Sequence, residues 1–475
     1  MRSRRLIVFG VIAIVALFTS WLLFMLPTLG SLGSTAAELL QYSGYYDEPD
    51  TVGIKAGGLS AAREDERRGR ASVVGRLMDV LDTQPSQAMA QYLKLHATER
   101  ARLTTQRRMH ALIYVCDDRY DCLGTGNRLQ GVVDAFVLAL VSSRAFFIVW
   151  NRHGEEITNF VVPSKHLDWR LPHRRFRTDA SLHISVPKDH EDFLFRSDVV
   201  ANLSRYDVVE VRSSVMWAAE LLENPHVQRH AQQAGLGELV THSQRGTLLQ
   251  VLLTLLLRPS PLLIEALDSF DRRMRGVTGT TDLSNVAIIG LQIRTGGDGS
   301  WHDATRLALS SVKVLSASAI LFARNASRDG LLPVVFIASD SHAAMNISSA
   351  DLSDNSVLWT TMEDLVGPIG HVETSKLDAP GMFALNVRVW ADFFGMALVD
   401  NAVHGRSSFS EMALCMACRR SFYYRYLHQV SVFVVPPFVF DNGFCDYWAH
   451  FQGHVRRNYL KSIFEEKAQK QVPLQ

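Results

Sequence analysis

Cysteine is scarce in this chain, with five in 475 residues, which is too few for a disulfide framework. The chain also has no excess of charge of either sign, because 49 Lys and Arg are balanced by 48 Asp and Glu and the formal net charge is +1. Without a large net positive charge the chain is not expected to bind nucleic acid. Any anion that it binds must be held by a few local cationic or N–H groups. The sequence also lacks the metal-binding triplet Asp-x-Asp and the Gly-Lys-Ser/Thr of a P-loop.

The remaining composition is that of an ordinary globular protein. Hydrophobic residues make up 47% and charged residues 20%, with 30 Gly and 15 Pro, which excludes collagen and wholesale disorder. A length of 475 residues is far above the roughly 100–200 of one domain. We therefore expect two core-sized units beside any terminal extras.

One long apolar segment stands at the N-terminus. Residues 6–26 form an uncharged run of 21 residues, long enough as a helix to cross roughly 30 Å of hydrocarbon. Arginines at 2, 4 and 5 precede it, which predicts that tail 1–5 is cytosolic and the bulk of the chain lumenal. A cleaved signal peptide is the alternative, but its apolar region usually spans only about 7–15 residues. The prediction is an uncleaved membrane anchor.

Residues 27–108 lack strand patterning and contain a mixed-charge stretch at 63–70. We interpret them as a lumenal stem, since interleaved acidic residues disfavour a basic docking patch. Asn-x-Ser/Thr sequons at Asn202, Asn325 and Asn346 are consistent with a glycoprotein of the secretory pathway. A polar tail, 461–475, closes the chain.

From residue 110 short apolar runs alternate with helical periodicity. Runs at 111–115 and 146–150 flank a stretch with helical spacing, which predicts a βαβ unit and hence a parallel sheet. A second unit begins with the apolar run 286–293, and the segment 271–285 is typical of a linker. The predicted fold class is α/β, with an N-terminal α/β domain at 109–285 and a C-terminal one at 286–460.

Three loops after predicted strands are candidates for phosphate binding, because open parallel sheets bind ligands at the carboxyl ends of their strands. Loop 116–128 has two glycines before a helix, so backbone N–H groups are accessible to an anion. Loop 292–298 sets an arginine beside two glycines and offers a forked cation. Loop 403–410 brings three serines to a helix start, where hydroxyls cap the helix or bind phosphate.

These loops resemble a known family. Gly124-x-Gly-Asn-Arg-Leu129 resembles the Gly-Asn-Arg opening of GDP-fucose-dependent fucosyltransferases, which include α1,2-, α1,6-, protein O-, plant xyloglucan and nodulation enzymes. Segment 292–298 is similar to their His-x-Arg-x-Gly-Asp loop, with Gln292 in place of the His and Gly297 as an insertion. Segments 336–341 and 405–413 resemble their Thr/Ser-Asp-Ser and terminal Ser-Ser elements. The motifs follow in order over 109–420.

The resemblance implies two facing Rossmann-like domains of the GT-B type, with the acceptor on the N-terminal side and the donor nucleotide on the C-terminal side. Asn127 and Arg128 would lie across the cleft near the donor diphosphate, and Asp340 near the base or ribose. The implied catalytic residues are Arg294 and Asp298. The implied donor-binding residues are Gly126, Asn127, Arg128, Gln292, Gly296, Asp340, Ser407, Ser408 and Phe409.

The chemistry of the loops accords with sugar transfer. Breaking the C1–O bond of the sugar leaves extra negative charge on a diphosphate, which an arginine fork and oriented N–H dipoles stabilise. With Asp-x-Asp absent, we expect no metal and no cofactor, only GDP-fucose as donor substrate. Candidates for the base that deprotonates the acceptor are Asp298, His302 and Asp303, and the sequence does not choose among them. Asp298 is equally suited to structuring its loop.

Two further features concern the cysteines. Cys116 and Cys122 flank the first loop and are spaced to close it as a disulfide. Cys415 and Cys418 form a second candidate pair, or one of them reaches Cys445. With five thiols, at least one is unpaired or intermolecular.

The leading hypothesis is an inverting fucosyltransferase, anchored as a single-pass type II protein in the Golgi or endoplasmic reticulum membrane. Its partners would be a nucleotide sugar and a glycan or glycoprotein acceptor. One alternative keeps the enzyme class with another nucleotide sugar as donor. An alternative of another class is an inactive membrane-anchored glycan-binding or scaffold protein of the same fold.

Overall fold

The computed structural model of the chain describes residues 72–82, 85–105, 110–119, 122–152, 155–172, 181–186, 191–214, 216–237, 245–296, 309–363, 365–370, 377–405, 407–417, 420–427 and 431–434. The predicted anchor at 6–26, most of the stem and the polar tail lie outside these residues. Within the described ranges, no helix has the length and apolar character needed to span a membrane.

Parallel strands dominate the described sheets. The strands are β1 (Ala111–Asp117), β2 (Ala145–Arg152), β3 (Glu155–Glu156), β4 (Val161–Val162), β5 (Ser181–Val186), β6 (Val208–Ser213), β7 (Arg258–Pro259), β8 (Val286–Ile293), β9 (Leu332–Ser339), β10 (Leu358–Thr361), β11 (Asn401–His404), β12 (Arg420–Leu427) and β13 (Ser431–Val434).

Helices separate most of these strands in the chain. They are α1 (Val73–Leu81), α2 (Gln87–Thr105), α3 (Thr125–Val141), α4 (Glu191–Phe195), α5 (Val199–Leu203), α6 (Ala218–Glu223), α7 (Pro225–Gln233), α8 (Arg245–Leu256), α9 (Pro261–Thr278), α10 (Val312–Arg328), α11 (His342–Asp354), α12 (Ala379–Ala397) and α13 (Ser408–Ala417).

The N-terminal sheet has the strand order β3-β2-β1-β6-β5. β1 runs parallel to β2 and β6, β5 runs parallel to β6, and the two-residue β3 is antiparallel at the edge. Side chains alternate along β1, so that Leu112 and Tyr114 join the main core while Ile113 and Val115 pack on the opposite face. The predicted strands in β1 and β2 are confirmed, whereas β5 and β6 were not predicted.

The C-terminal sheet has the order β10-β9-β8-β11-β12-β13, parallel except for the last pair. All eight residues of β8 are buried, as the continuous apolar run predicts. Val286 and Ile288 face the main core, whereas Ile289 and Leu291 face α10 and α11. Helices on both faces make this sheet doubly wound, which confirms the α/β prediction.

The folded body begins earlier than the predicted stem boundary at residue 108. Val73 and Leu77 of α1 and Met89 of α2 are buried in the main core, and α1 packs against α9. Helix α2 packs on β2. The stem interpretation was wrong for α1 and α2, because apolar side chains at helical spacing are buried in the body of the protein.

The predicted linker at 271–285 was also wrong in its first half. Residues 271–278 are the last two turns of α9, which ends at Gly279 with φ of 67°. Asp271 accepts a hydrogen bond of 2.7 Å from the backbone N–H of Val73 and pairs with Arg275. Every described residue lies in one unit, Arg63–Gln475, and both sheets contribute to the same core cluster.

Candidate functional site

A cavity opens at the carboxyl ends of β8, β9 and β11. Gln292 on β8 is in register with Ala338 on β9 and His404 on β11, so the loops after these strands emerge side by side. The space between its walls is about 600 Å³ when the solvent in its open mouth is counted. Its lining residues are Gly124, Thr125, Gly126, Gln292, Arg294, Ala338, Ser339, Asp340, Ile369, Gly370, Leu385, Arg388, Val389, Asp392 and Phe409.

Two helix N-termini meet at one end of the cavity. A Cβ added to Gly126, in the first turn of α3, would lie 2.6 Å from Cα of Phe409, in the first turn of α13. Asn127 accepts a short hydrogen bond from the hydroxyl of Ser408. Since N-terminal N–H groups carry partial positive charge, this end of the cavity is suited to an anion.

Asp340 holds the loop that follows β8. Its carboxylate accepts hydrogen bonds from the backbone N–H groups of Thr295 at 2.9 Å and Gly296 at 3.1 Å. Gly296 has φ of 93°, in the region that favours glycine. Asp340 therefore fixes the backbone beside Arg294 and also lines the cavity.

Gln292 and Arg294 reach the cavity from the end of β8. Gln292 is 5% exposed, and its buried Oε1 has no hydrogen-bond partner among the described residues. Arg294 is half-buried and lines the same cavity as the two helix N-termini and α12. A cation and an amide at this position offer polar contacts to a bound ligand.

Arg128 is placed differently from the sequence-based expectation. Its side chain is fully buried and pairs with the equally buried carboxylate of Glu155 on β3, over the ring of Trp150. Trp390 on α12 donates a 3.1 Å hydrogen bond to the same carboxylate. The guanidinium of Arg128 is thus paired inside the core, and Arg128 does not line the cavity.

The serines of the third loop lie at the start of α13. Ser407 is 3% exposed and Ser410 is fully buried, and neither hydroxyl has a hydrogen-bond partner among the described residues. Ser407, Ser408 and Gly296 do not line the cavity, whereas Phe409 does and packs edge-on against Phe393 at 5.7 Å. The first turn of α13 thus contributes its aromatic ring and backbone to the site.

The disulfide predicted across the first loop is present. Cys116 at the end of β1 is bonded to Cys122, with a Cα–Cα distance of 5.9 Å. The bridge ties the chain entering α3 to the carboxyl end of the central strand β1. Cys415 is buried in α13, and its proposed partners Cys418 and Cys445 lie outside the described residues.

Two charged residues of the site were not predicted from the sequence. Arg388 and Asp392 lie on α12, line the cavity, and are joined by a 2.8 Å ion pair. Burial raises the pKa of Asp392 to about 6, although Arg388 acts to lower it. The signal was available, because these are the only charged residues in the sequence of α12 and they stand four residues apart.

His404 on β11 is in register with Gln292 on β8 and is fully buried. Burial lowers its pKa to about 4, while its contact with the carbonyl oxygen of Gly405 acts in the opposite sense. The buried imidazole next to Gln292 is therefore neutral at physiological pH.

The candidate bases Asp298, His302 and Asp303 lie outside the described residues. Across the described part of the chain, no three His, Cys, Asp or Glu side chains are grouped so as to hold a metal ion. Metal independence remains a prediction.

No protein-family profile and no curated protein matches the sequence. Among solved structures, a point mutant of Arabidopsis thaliana FUT1 in complex with GDP superposes with a TM-score of 0.51 at 12% identity, over 80% of this chain and 86% of that one. POFUT1 in complex with GDP-fucose has a TM-score of 0.34 at 11% identity, over 67% and 98%. At that score the second likeness carries no argument.

The fold and the site together define a class. The molecule is an α/β protein with parallel sheets and a cavity at the carboxyl ends of its strands, and it shares its fold with Arabidopsis thaliana FUT1. The resemblance that the motifs predicted is thus confirmed at the level of the fold.

Proposed function

We propose that this protein is a glycosyltransferase that transfers fucose from GDP-fucose to a glycan or glycoprotein. The observation that carries the proposal is that Arg294, Gly126 and Phe409, drawn from three separate motifs, line one cavity at the carboxyl ends of parallel strands. The likeness in fold to FUT1 bound to GDP supports it.

The leaving group determines what the site must do. Arg294 supplies a fixed cation, and the N-termini of α3 and α13 supply N–H groups with partial positive charge. Negative charge grows on the diphosphate oxygen as the C1–O bond breaks, so these groups bind the transition state more tightly than the ground state.

The proposed displacement is a single inverting step. The acceptor oxygen forms a bond to C1 of fucose while the bond from C1 to the diphosphate oxygen breaks, and GDP leaves with the electron pair. The acceptor proton passes to a carboxylate or imidazole in the loop containing Asp298, His302 and Asp303. Asp298 is the first candidate for that base by its position in the resembling motif.

The reaction is proposed to need no metal, because Arg294 and backbone dipoles carry the leaving-group charge. Transfer should therefore survive EDTA. Loss of activity on chelation with recovery on Mn²⁺ would contradict this part of the proposal.

The location is proposed to be the Golgi or endoplasmic reticulum membrane, with residues 6–26 as an uncleaved anchor. Asn325 on α10 and Asn346 on α11 are both exposed and accessible to a glycan. Protease treatment of intact microsomes tests the topology. We expect a protected chain of full length, and digestion without detergent would overturn it.

The central experiment is donor turnover by the full-length chain with a panel of nucleotide sugars. We expect hydrolysis and transfer from GDP-fucose above all others. Turnover of a different nucleotide sugar alone would favour the alternative donor. Tight binding of glycans without turnover of any donor would favour the scaffold alternative.

A further inference from the structure

Helix α12 forms one wall of the cavity with a single stripe of side chains. Leu385, Arg388, Val389 and Asp392 recur at the spacing of one helix face, and all four line the cavity. Arg388 is 2% exposed and Asp392 is 6% exposed. Two charged groups are thus held almost out of water beside a ligand cavity.

The pair satisfies only part of its hydrogen-bonding capacity. Arg388 donates through Nε to Oδ2 of Asp392 at 2.8 Å and through Nη2 to the hydroxyl of Thr361 at 3.0 Å. Nη1 of Arg388 and Oδ1 of Asp392 are buried and have no partner among the described residues. A buried polar atom without a partner is costly, so one donor and one acceptor remain for a ligand.

Their place along the cavity follows from the sheet order. Thr361 ends β10, which lies beyond β9 from β8, whereas the N-terminus of α13 follows β11 on the other side of β8. Arg294 leaves β8 between them. With its phosphates at Arg294 and the helix N-termini, a nucleoside diphosphate in this cavity would direct its base along the α12 wall, where Arg388 also contacts Thr361. Ile369 and Val389 supply apolar surface there.

We propose that Arg388 and Asp392 select guanine as the base of the donor nucleotide. This inference rests on the proposed function and adds the residues that determine base specificity. Guanine presents the O6 acceptor beside the N1–H and 2-amino donors on one edge. Nη1 of Arg388 donates to O6, and Oδ1 of Asp392 accepts from N1–H and the 2-amino group. Adenine presents an amino donor in place of O6 and is repelled by the guanidinium.

The first test needs no substitution. Calorimetric titration of the full-length chain with GDP, IDP and ADP compares bases that differ at the groups named. IDP, which lacks only the 2-amino group, should bind about tenfold more weakly than GDP or worse, and ADP about 10²-fold more weakly or worse. Equal affinities for GDP and IDP would overturn the assignment of Asp392.

The second test exchanges the hydrogen-bonding character of one group. In Asp392→Asn the amide N–H₂ faces the ligand and suits the O2 of xanthine, so the preference for GDP over XDP should fall about 10²-fold or more. Asp134→Asn is the matched control. Asp134 is a fully buried aspartate on α3 that accepts from the backbone N–H groups of Trp217 and Ala218. It should lose stability with an unchanged GDP-to-XDP ratio.

The outcomes separate this inference from the proposed function. A wild-type chain that binds no nucleoside diphosphate would contradict both the proposed function and the assignment of Arg388 and Asp392. A chain that binds GDP and turns over GDP-fucose, but whose Asp392→Asn variant keeps the wild-type base preference, would leave the function standing and overturn the inference. If Asp392→Asn does not fold, the comparison of GDP with IDP on the wild-type chain decides alone.

Discussion

At the scale of single residues, the site depends on where each side chain points rather than on its place in a motif. Asn127 and Arg128 are neighbours in the sequence, yet Asn127 bonds to Ser408 at the edge of the cavity while Arg128 is buried against Glu155. Successive residues on a helix point about 100° apart, so a motif alone does not tell which of them meets a ligand.

Arg294 is the residue on which the proposed catalysis depends most. Arg294→Lys should lower kcat/KM for GDP-fucose by about 10²-fold or more, or about 2.7 kcal/mol at 1.36 kcal/mol per decade, because an ammonium keeps the charge but lacks the planar fork. The melting temperature should change little, since Arg294 is half-buried in a loop. Near-normal turnover in the lysine variant would show that Arg294 is not in contact with the diphosphate.

His404 should make stability depend on pH. Its pKa is lowered from 6.5 to about 4 in the folded state. As the pH falls below 6.5, His404 takes up a proton in the unfolded chain but stays neutral in the folded chain. The free energy of unfolding therefore decreases until about pH 4. A pKa lowered from 6.5 to about 4 corresponds to about 3 kcal/mol of stability lost on acidification.

The measurement is urea unfolding of the wild type and His404→Gln between pH 7 and pH 4. Asp392 acts in the opposite sense, because its pKa is raised from 3.8 to about 6 in the folded state. Its contribution to stability therefore grows as the pH falls from about 6 to about 3.8. That contribution is common to both proteins and cancels in their difference. Parallel stability curves for the two proteins would contradict the buried neutral histidine.

At the scale of elements, β8 was predictable and β6 was not. All eight residues of β8 are buried and six of them are aliphatic, and an apolar run this short favours a strand over a helix. β6 is buried at only four of its six positions, and Glu210 and Arg212 interrupt its apolar residues. β5 and β6 are stabilised as strands because β5 pairs with β6 and β6 pairs with β1. A local sequence pattern does not contain these long-range pairings.

The candidate site shows the same division. Gly126, Arg294 and Phe409 were predictable because the carboxyl ends of parallel strands converge. Arg388 and Asp392 come from the middle of a helix, and only the packing of α12 across the sheet brings them to the cavity. The sequence shows that the pair is charged within an apolar helix, but it does not show that the pair faces this cavity.

The two-residue strand β3 should contribute more to the free energy of unfolding than its length suggests. Glu155 on β3 binds both Arg128 and Trp390 with all of its side chain buried. Glu155→Gln leaves the guanidinium buried without its counter-charge, so we expect a loss of about 3–5 kcal/mol in the free energy of unfolding. Glu156→Gln is the control, because Glu156 is exposed and bonds only to Thr158 among the described contacts. A loss below about 1 kcal/mol in Glu155→Gln would mean that this network does not hold β3 to α12.

At the scale of the whole molecule, the cavity lies where the two sheets' helices meet. α3 follows β1 of the N-terminal sheet, and α13 follows β11 of the C-terminal sheet. The two helices pack together within one continuous core. The site therefore depends on how closely the halves approach as well as on its own side chains.

Gly126 sets that approach, and its replacement should loosen the site. The added Cβ of Gly126→Ala would meet backbone atoms of Ser408 and Phe409, both at 2.6 Å, and backbone cannot rotate aside as a side chain can. We expect a loss of about 1–3 kcal/mol in stability together with weaker GDP binding, because the helix N-termini must separate. Gly276→Ala in α9 is the matched control: nothing lies within 4 Å of its added Cβ, so it should gain about 0.5–1 kcal/mol and leave GDP affinity unchanged. Urea unfolding and calorimetric titration of both variants would check this, and a Gly126→Ala protein with wild-type stability and GDP affinity would show that the close approach is not required.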